Sequence, residues 1–231
     1  MGTISVVIRD HDMTGTLPLL KAVNRAMGTK QVEFVLLCDK SSHCCLDIKG
    51  KRAKKLMVDP GQLDTGQALN LGAEAACGDV LIFTVGDALP LSESWLDAAD
   101  RCCHEPLVAG VYGPILPTGD ASMFQRMRGQ VQYLGAKLLG RHRIDKLPVP
   151  EFSPLNFAIE RNLWKNHSFL GAVDAVDAVD EWARWAIEHG MDLVSDSAFA
   201  VQCDRVLEWP VATVRSADKP PSLESSSAKR T

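Results

Sequence analysis

The 231-residue sequence has no apolar run long enough to cross a membrane, and none of its cysteines forms a CxxC pair. The first absence excludes a transmembrane helix within this sequence. The second excludes the usual zinc-ribbon spacing. The opening stretch "MGTISVVIRDHD" lacks a basic n-region, so it is not expected to act as a signal peptide. Repeats of useful length are absent too; "AVDAVDAVD" is a local triplet, too short for a solenoid. Net charge is −4, which gives no sign of non-specific nucleic-acid binding. Seven cysteines, including the adjacent pairs Cys44-Cys45 and Cys102-Cys103, do not form an even disulfide framework. Reduced thiols in the cytoplasm are the expected state. The chain is nevertheless long enough for a large core, and its hydrophobic content of 46% against 23% charged residues is that of a globular protein.

The first part alternates strand and helix patterns. "TISVVIRD" (Thr3 to Asp10) is rich in β-branched residues, and "LPLLKAVNRAM" (Leu17 to Met27) has helical spacing of apolar positions. "VEFVLLCD" (Val32 to Asp39) is almost continuously apolar, as suits a parallel strand covered on both faces. "AKKLMVD" predicts a weaker third strand, and "TGQALNLGAEAACGD" a helix ending at Gly78. "VLIFTV" (Val80 to Val85) is the fourth strand, "SESWLDAADRCC" a serine-capped amphipathic helix, and "LVAGVYGPIL" a fifth strand. This alternation predicts an α/β fold with a mainly parallel central sheet flanked by helices. Ligands of such sheets bind outside the carboxyl ends of the strands. The ends here, "RDHD", "CDKSS" and "VGDALP", each carry an acid, so one edge should gather Asp10, Asp12, Asp39 and Asp87, with His11 beside them.

The second part differs. A helix is predicted from "SMFQRMRG" to about Leu139, and the surrounding stretch gathers Arg126, Arg128, Lys137, Arg141, Arg143 and Lys146 against one acid, Asp145. That run is either a solvated helix face or a contact for an anionic lipid surface or lipid-diphosphate acceptor. "NFAIERNLW" predicts a short strand and turn, "AVDEWARWAIEHG" a helix ending at Gly190, and "MDLVSDSAFAVQCD" a closing extended segment. Trp182 and Trp185 are expected to be packing anchors. The tail from Ser216 has the low hydrophobicity of a disordered segment.

"ISVVIRDHD", the long stretch "TGQALNLGAEAACGDVLIFTVGDALPLSESWL" and "LVAGVYGPILP" together resemble the family 2 glycosyltransferases, and within them the bacterial rhamnosyltransferase-like branch. The resemblance runs from about Ile4 to Cys203. It implies a GT-A-type nucleotide-diphospho-sugar transferase fold: one domain over residues 1–215, with a nucleotide-binding half to about 118 and an acceptor-side half beyond. It implies an inverting glycosyltransferase of polysaccharide biosynthesis. Such an enzyme moves a sugar from a nucleotide diphosphate donor to a saccharide or lipid-linked acceptor, in the cytoplasm or at the inner face of the membrane. Mg2+ or Mn2+ would be the cofactor. Asp87 corresponds to the second acid of the family's Asp-x-Asp and would contact metal and diphosphate. Asp10 and Asp39 would contact the nucleotide, Asp180 or Glu181 would be the base, and Asn156 would lie on the acceptor side.

The sequence departs from the family pattern at chemical positions. Val85 replaces the first acid of Asp-x-Asp, although branch members with "TQDALP" also lack it. Cys38 stands where a nucleotide-recognising acid is usual, with Asp39 next to it. Val179 falls in the slot of the expected base, beside Asp177, Asp180 and Glu181. Cys203 replaces a late metal-binding histidine, and a thiolate is a poor ligand for a hard cation. These departures keep a second reading open, in which a GT-A-like scaffold without catalysis serves as a binding or assembly subunit. A nucleotidyltransferase is disfavoured, because "RDHDMTGT" does not supply a glycine-rich basic loop.

Overall fold

The computed structural model describes residues 2–10, 16–39, 53–58, 64–119, 121–149, 152–171 and 175–203. The expected tail from Ser216, together with His11, Asp12 and the Cys44-Cys45 pair, lies outside the described residues. In chain order the elements begin with β1 (Thr3–Asp10), α1 (Thr16–Ala26), β2 (Gln31–Asp39), β3 (Ala53–Val58), α2 (Thr65–Ala75), β4 (Val80–Val85) and β5 (Leu89–Pro90). There follow α3 (Trp95–Cys103), β6 (Val108–Tyr112), β7 (Ile115–Pro117), α4 (Met123–Leu139) and β8 (His142–Ile144). The chain continues with β9 (Asn156–Glu160), α5 (Arg161–Asn166), α6 (Ala175–Glu188), β10 (Asp192–Ser195), a 3-10 turn (Ser197–Phe199) and β11 (Val201–Cys203).

Eight strands form the main sheet in the order β3-β2-β1-β4-β9-β6-β10-β8. β1 pairs in parallel with β2 and β4, β2 with β3, and β6 with β10. β9 runs antiparallel to both β4 and β6, and β8 antiparallel to β10. Alternation along β1 sends Val6 and Ile8 to one face and Val7 to the other. The first face is covered by α1 (Leu19, Leu20, Val23) and α3 (Trp95 to Cys103). The second is covered by α2 (Ala68, Leu69, Ala73) and α6 (Ala178, Val179, Trp182, Ala186). Each fully buried Leu, Phe or Val contributes about 1.5–3 kcal/mol. Both faces of the central strands are therefore dry, which is why "VEFVLLCD" and "VLIFTV" read as unbroken apolar runs.

Three expectations are corrected. First, α2 stops at Ala75, not Gly78. It opens on an Asp64–Gln67 capping box, in which the Gln67 amide donates to Asp64 Oδ1 at 2.8 Å. Gly78 lies past the helix, and its N–H donates to Ser5 Oγ at 2.7 Å and to Glu33 Oε1 at 3.2 Å. A Cβ there would come within 2.5 Å of Ser5 Oγ, so the glycine serves a close approach, not a helix cap. Second, the serine at the start of α3 makes no side-chain cap; Ser94 Oγ instead sits 2.7 Å from Ser92 Oγ. Third, "LVAGVYGPIL" is two strands in two sheets. The break falls at Gly113-Pro114, where the Phe199 carbonyl crowds the backbone so closely that a Cβ on Gly113 would lie 2.3 Å from it. β7 joins β5 and β11 in a small second sheet.

Candidate functional site

The parallel register sets the site. Asp10 closes β1 opposite Cys38, Asp39 closes β2 opposite Val58, and Arg9 pairs with Val85 at the end of β4. The Gly86 N–H donates to the Arg9 carbonyl at 3.2 Å, so the turn carrying Asp87 begins against the end of β1. Neighbouring strands lie about 4.8 Å apart. The backbone of Asp10 and Asp39 and the turn holding Asp87 therefore share one stretch of the carboxyl edge. Asp87 is half-buried there. Side-chain placement at Asp10 and Asp39 lies outside the described residues.

Val85 packs into the core with Ile8 and Ala88 and is 7% exposed. At the position that the resemblance gives to the first acid of Asp-x-Asp, the chain therefore has a core residue. β11 runs antiparallel to β5, with Gln202 opposite Leu89. On its other side β11 pairs with β7, where Cys203 lies opposite Pro117. Its thiol is buried in the same cluster as Val85 and Ala88. Among the described residues, no group of three or more His, Cys, Asp or Glu side chains could hold a metal ion. Asp87 is a hard oxygen donor. A single carboxylate suits an ion such as Mg2+ that completes its shell with phosphate oxygens and water, so the donor present fits a divalent metal shared with a diphosphate.

Asn156 sits at the start of β9, opposite Thr84. It is completely buried. Its side-chain oxygen accepts from the Trp95 indole N–H at 3.3 Å, and its amide donates to the Phe199 carbonyl at 2.5 Å. Trp95 and Phe199 stack face to face with centroids 5.0 Å apart. Asn156 thus joins β9, α3 and the 3-10 turn beneath the carboxyl edge.

α6 precedes a parallel strand, so its N-terminal end points toward the same edge as Asp87. Asp177 occupies its first turn. Val179 and Ala178 are wholly buried, against the α2 side of the core. Asp180 is exposed, and Glu181 is half-buried. The Glu181 carboxylate lies 3.1 Å and 3.2 Å from His167 Nε2. His167 in turn stacks on Trp185, and its carbonyl accepts from the Trp182 indole at 2.9 Å. His167 escapes the sequence reading, because it is fourteen residues from Glu181 in the chain and no helical or strand spacing links the two. Trp182 is the packing anchor expected of it, with no exposed surface.

The basic stretch is not uniform. Arg141 pairs with Glu105, and Arg143 reaches Asp192 at 2.9 Å and Glu105 at 3.3 Å. Hydrogen bonding from Arg141 holds the Glu105 carboxyl below the usual glutamate range, with Arg143 adding to it. These two arginines fasten the segment after α4 to the α3–β6 turn. No helix among the described residues is long and apolar enough to cross a membrane.

No family model matches this sequence, and no curated protein is similar enough to count as a relative. Solved structures do match. The mannosyltransferase PcManGT from Pyrobaculum calidifontis, solved with GDP-Man and Mn2+, superposes with a TM-score of 0.62 at 14% identity. That match covers 90% of this chain and 58% of the mannosyltransferase, so this chain spans little more than half of that protein's length. S. aureus TarS 1-349 matches with a TM-score of 0.59 at 16% identity, covering 87% of this chain and 60% of that one. Glucosyl-3-phosphoglycerate synthase from M. tuberculosis matches with a TM-score of 0.52 at 15% identity, covering 91% and 74%. TarS has been solved with UDP-GlcNAc, and the M. tuberculosis synthase with Mn2+ and UDP-glucose or with Mg2+ and UDP. The sheet order, the helices on both faces and these superpositions together give this chain the GT-A-type glycosyltransferase fold.

Proposed function

We propose that this protein is a glycosyltransferase that takes a sugar from a nucleotide diphosphate donor and passes it, with inversion, to a saccharide or lipid-linked acceptor. The observation that carries the reading is the position of Asp87, half-buried in the turn that starts against the end of β1. Nucleotide-diphosphate binding at that edge suits the fold. The short motifs "TVGDALP" and "AGVYGPILP" support the rhamnosyltransferase-like branch.

In this reading Asp87 holds Mg2+ or Mn2+, and the ion supplies charge neutralisation for the departing diphosphate. Asp39 and Asp10, at adjacent strand ends, orient the nucleoside. Asp180 or Glu181 accepts the proton of the attacking hydroxyl, which fits a carboxylate near the N-terminal half of α6. Asn156 supports the acceptor side from below, through its bonds to Trp95 and Phe199. The basic run from Arg126 to Lys146, apart from the internally paired Arg141 and Arg143, belongs to the lipid-facing side of the protein.

The test is calorimetric titration of the full chain with UDP and with GDP, each with and without Mg2+ or Mn2+. Metal-dependent binding of one of them is expected. Absence of binding by any nucleoside diphosphate to folded protein overturns the reading. A second reading, a catalytically silent GT-A-like subunit, is favoured by the burial of Val179 in the slot of the expected base. It predicts nucleotide binding with no release of nucleoside diphosphate from any sugar donor.

A further inference from the structure

α4 is built inside out relative to an ordinary surface helix. It opens on a capping box, with the Gln125 amide donating to Ser122 Oγ at 3.3 Å and the Ser122 amide to Gln125 Oε1 at 2.8 Å. At about 100° per residue, Phe124, Met127, Val131, Leu134 and Leu138 fall on one stripe, spaced alternately three and four apart. A stripe of this kind normally faces the core. Here the buried residues of the helix are Gly129 and Ala136, on the opposite side. Gly129 lies against Pro117 of β7, where a Cβ would come within 2.4 Å of the proline ring. Every stripe residue is at least 55% exposed, and Leu138 is 89% exposed. Met123 and Leu139 extend the apolar surface at both ends.

Charge decides what this face fits. α4 contains no acid. Arg126 and Lys137 flank the stripe on one shoulder, and Arg128 on the other. The Arg126 guanidinium is braced by the carbonyls of Ala121 and Gly119, which leaves its charge in place at the start of the helix. A second copy of the chain would bring these basic shoulders against one another, since the positions flanking the seam carry Arg128, Gln130, Gly135 and Lys137 and offer no acid to pair with them. An anionic lipid surface is complementary in both respects. Acyl chains take the apolar stripe, and headgroup phosphates take the arginines and the lysine.

We propose that α4 lies in the plane of an anionic membrane surface, with Phe124, Met127, Val131, Leu134 and Leu138 inserted below the headgroups and Arg126, Arg128 and Lys137 at their level. The helix runs about 25 Å, and its far end is fastened to the body through the Arg141–Glu105 pair, so the whole fold docks with it. Arg141 and Arg143, paired within the protein, contribute little to the contact. The proposal sharpens the lipid-facing side of the function proposed above but does not depend on nucleotide binding.

The experiment is flotation of the full chain with vesicles of phosphatidylcholine alone and of phosphatidylcholine with phosphatidylglycerol in a three-to-one ratio. Wild-type protein should float with the anionic vesicles and remain below with the neutral ones. Met127→Ser with Leu138→Ser should abolish flotation while circular dichroism and nucleotide titration stay unchanged. Neutralising Arg128 or Lys137 to Gln should lower the partition about fivefold each, and high salt should do the same. Wild-type protein that stays below in both mixtures overturns the proposal, as does flotation that the serine variants leave intact. A dimer in light scattering that the serine variants split, without flotation of the wild type, would assign the face to a second copy instead. Because titration with nucleotides is read separately, failure of the membrane contact and failure of the transferase reading are distinguishable.

Discussion

The imidazole of His167 lies 3.1 Å from a carboxylate oxygen of Glu181 and flat on the indole of Trp185, with 4.4 Å between ring centroids. This pair ties the segment after α5 to the second turn of α6. Asp180, one residue earlier, is turned by about 100° and is exposed. The two carboxylates proposed to take the acceptor proton therefore differ in surroundings. Asp180→Asn and Glu181→Gln, assayed separately for release of nucleoside diphosphate, should divide cleanly. One variant is expected to lose about a hundredfold or more in kcat with little change in KM. If neither loses as much as tenfold, the base does not lie in this stretch.

Asp87→Asn keeps the size of the side chain and removes its charge. Interactions with charged groups contribute about 1.5–3 kcal/mol each. Metal-dependent affinity for nucleoside diphosphate should therefore fall roughly tenfold or more, while the melting temperature stays close to that of the parent protein. Calorimetric titration checks this directly. Unchanged affinity would move the diphosphate site away from the β4 turn.

Asn156 offers a test of stability against function. Replacing it with Leu strands the Trp95 N–H and the Phe199 carbonyl, both within the core. Leaving such groups unsatisfied costs about 1–3 kcal/mol, which for a chain of this size lowers Tm by on the order of 5 °C. Chemical denaturation of Asn156→Leu measures the first quantity and calorimetry the second. A loss of turnover at unchanged Tm would mean that the residue meets the acceptor rather than bracing the edge.

Glu105 predicts a pH dependence. Its carboxyl is held below the ordinary range, first by the hydrogen bond from Arg141 and then by Arg143. The folded state thus binds its proton less readily than the unfolded chain does. The stabilisation is complete above the ordinary glutamate value and is lost as the pH falls through the lowered folded value. Glu105→Gln should melt below the wild type at neutral pH, and the gap should close on acidification through that window. A gap that stays constant or widens toward acid would show that the Glu105 charge does not contribute.

Local pattern determined much of this architecture. β1 and β4 coincide with "TISVVIRD" and "VLIFTV", and α4 ends at Leu139 where its periodicity ends. α6 stops just before Gly190, whose φ of 76° suits glycine. Parallel strands buried on both faces and helices with one apolar stripe leave signals within a few residues, so they can be read without knowing what they touch. The convergence of acids at the carboxyl edge followed from strand direction alone, whereas Asp87 was singled out among them by the resemblance of the stretch around it.

Long-range pairing decided the rest. "NFAIE" carries no sign of direction, yet β9 enters antiparallel between β4 and β6, and only that placement turns Asn156 inward to Trp95. The Gly113-Pro114 break becomes a change of sheet because the Phe199 carbonyl occupies the space beside it. His167 meets Glu181 because the segment after α5 packs directly on α6, not through any spacing. The stripe on α4 is visible in the sequence, but its periodicity would serve a buried helix equally well. Its outward direction is settled by the contact of Gly129 with Pro117, which leaves the apolar side facing away from the protein. Periodicity specifies that a face exists; only the tertiary contacts on the opposite side specify where it points.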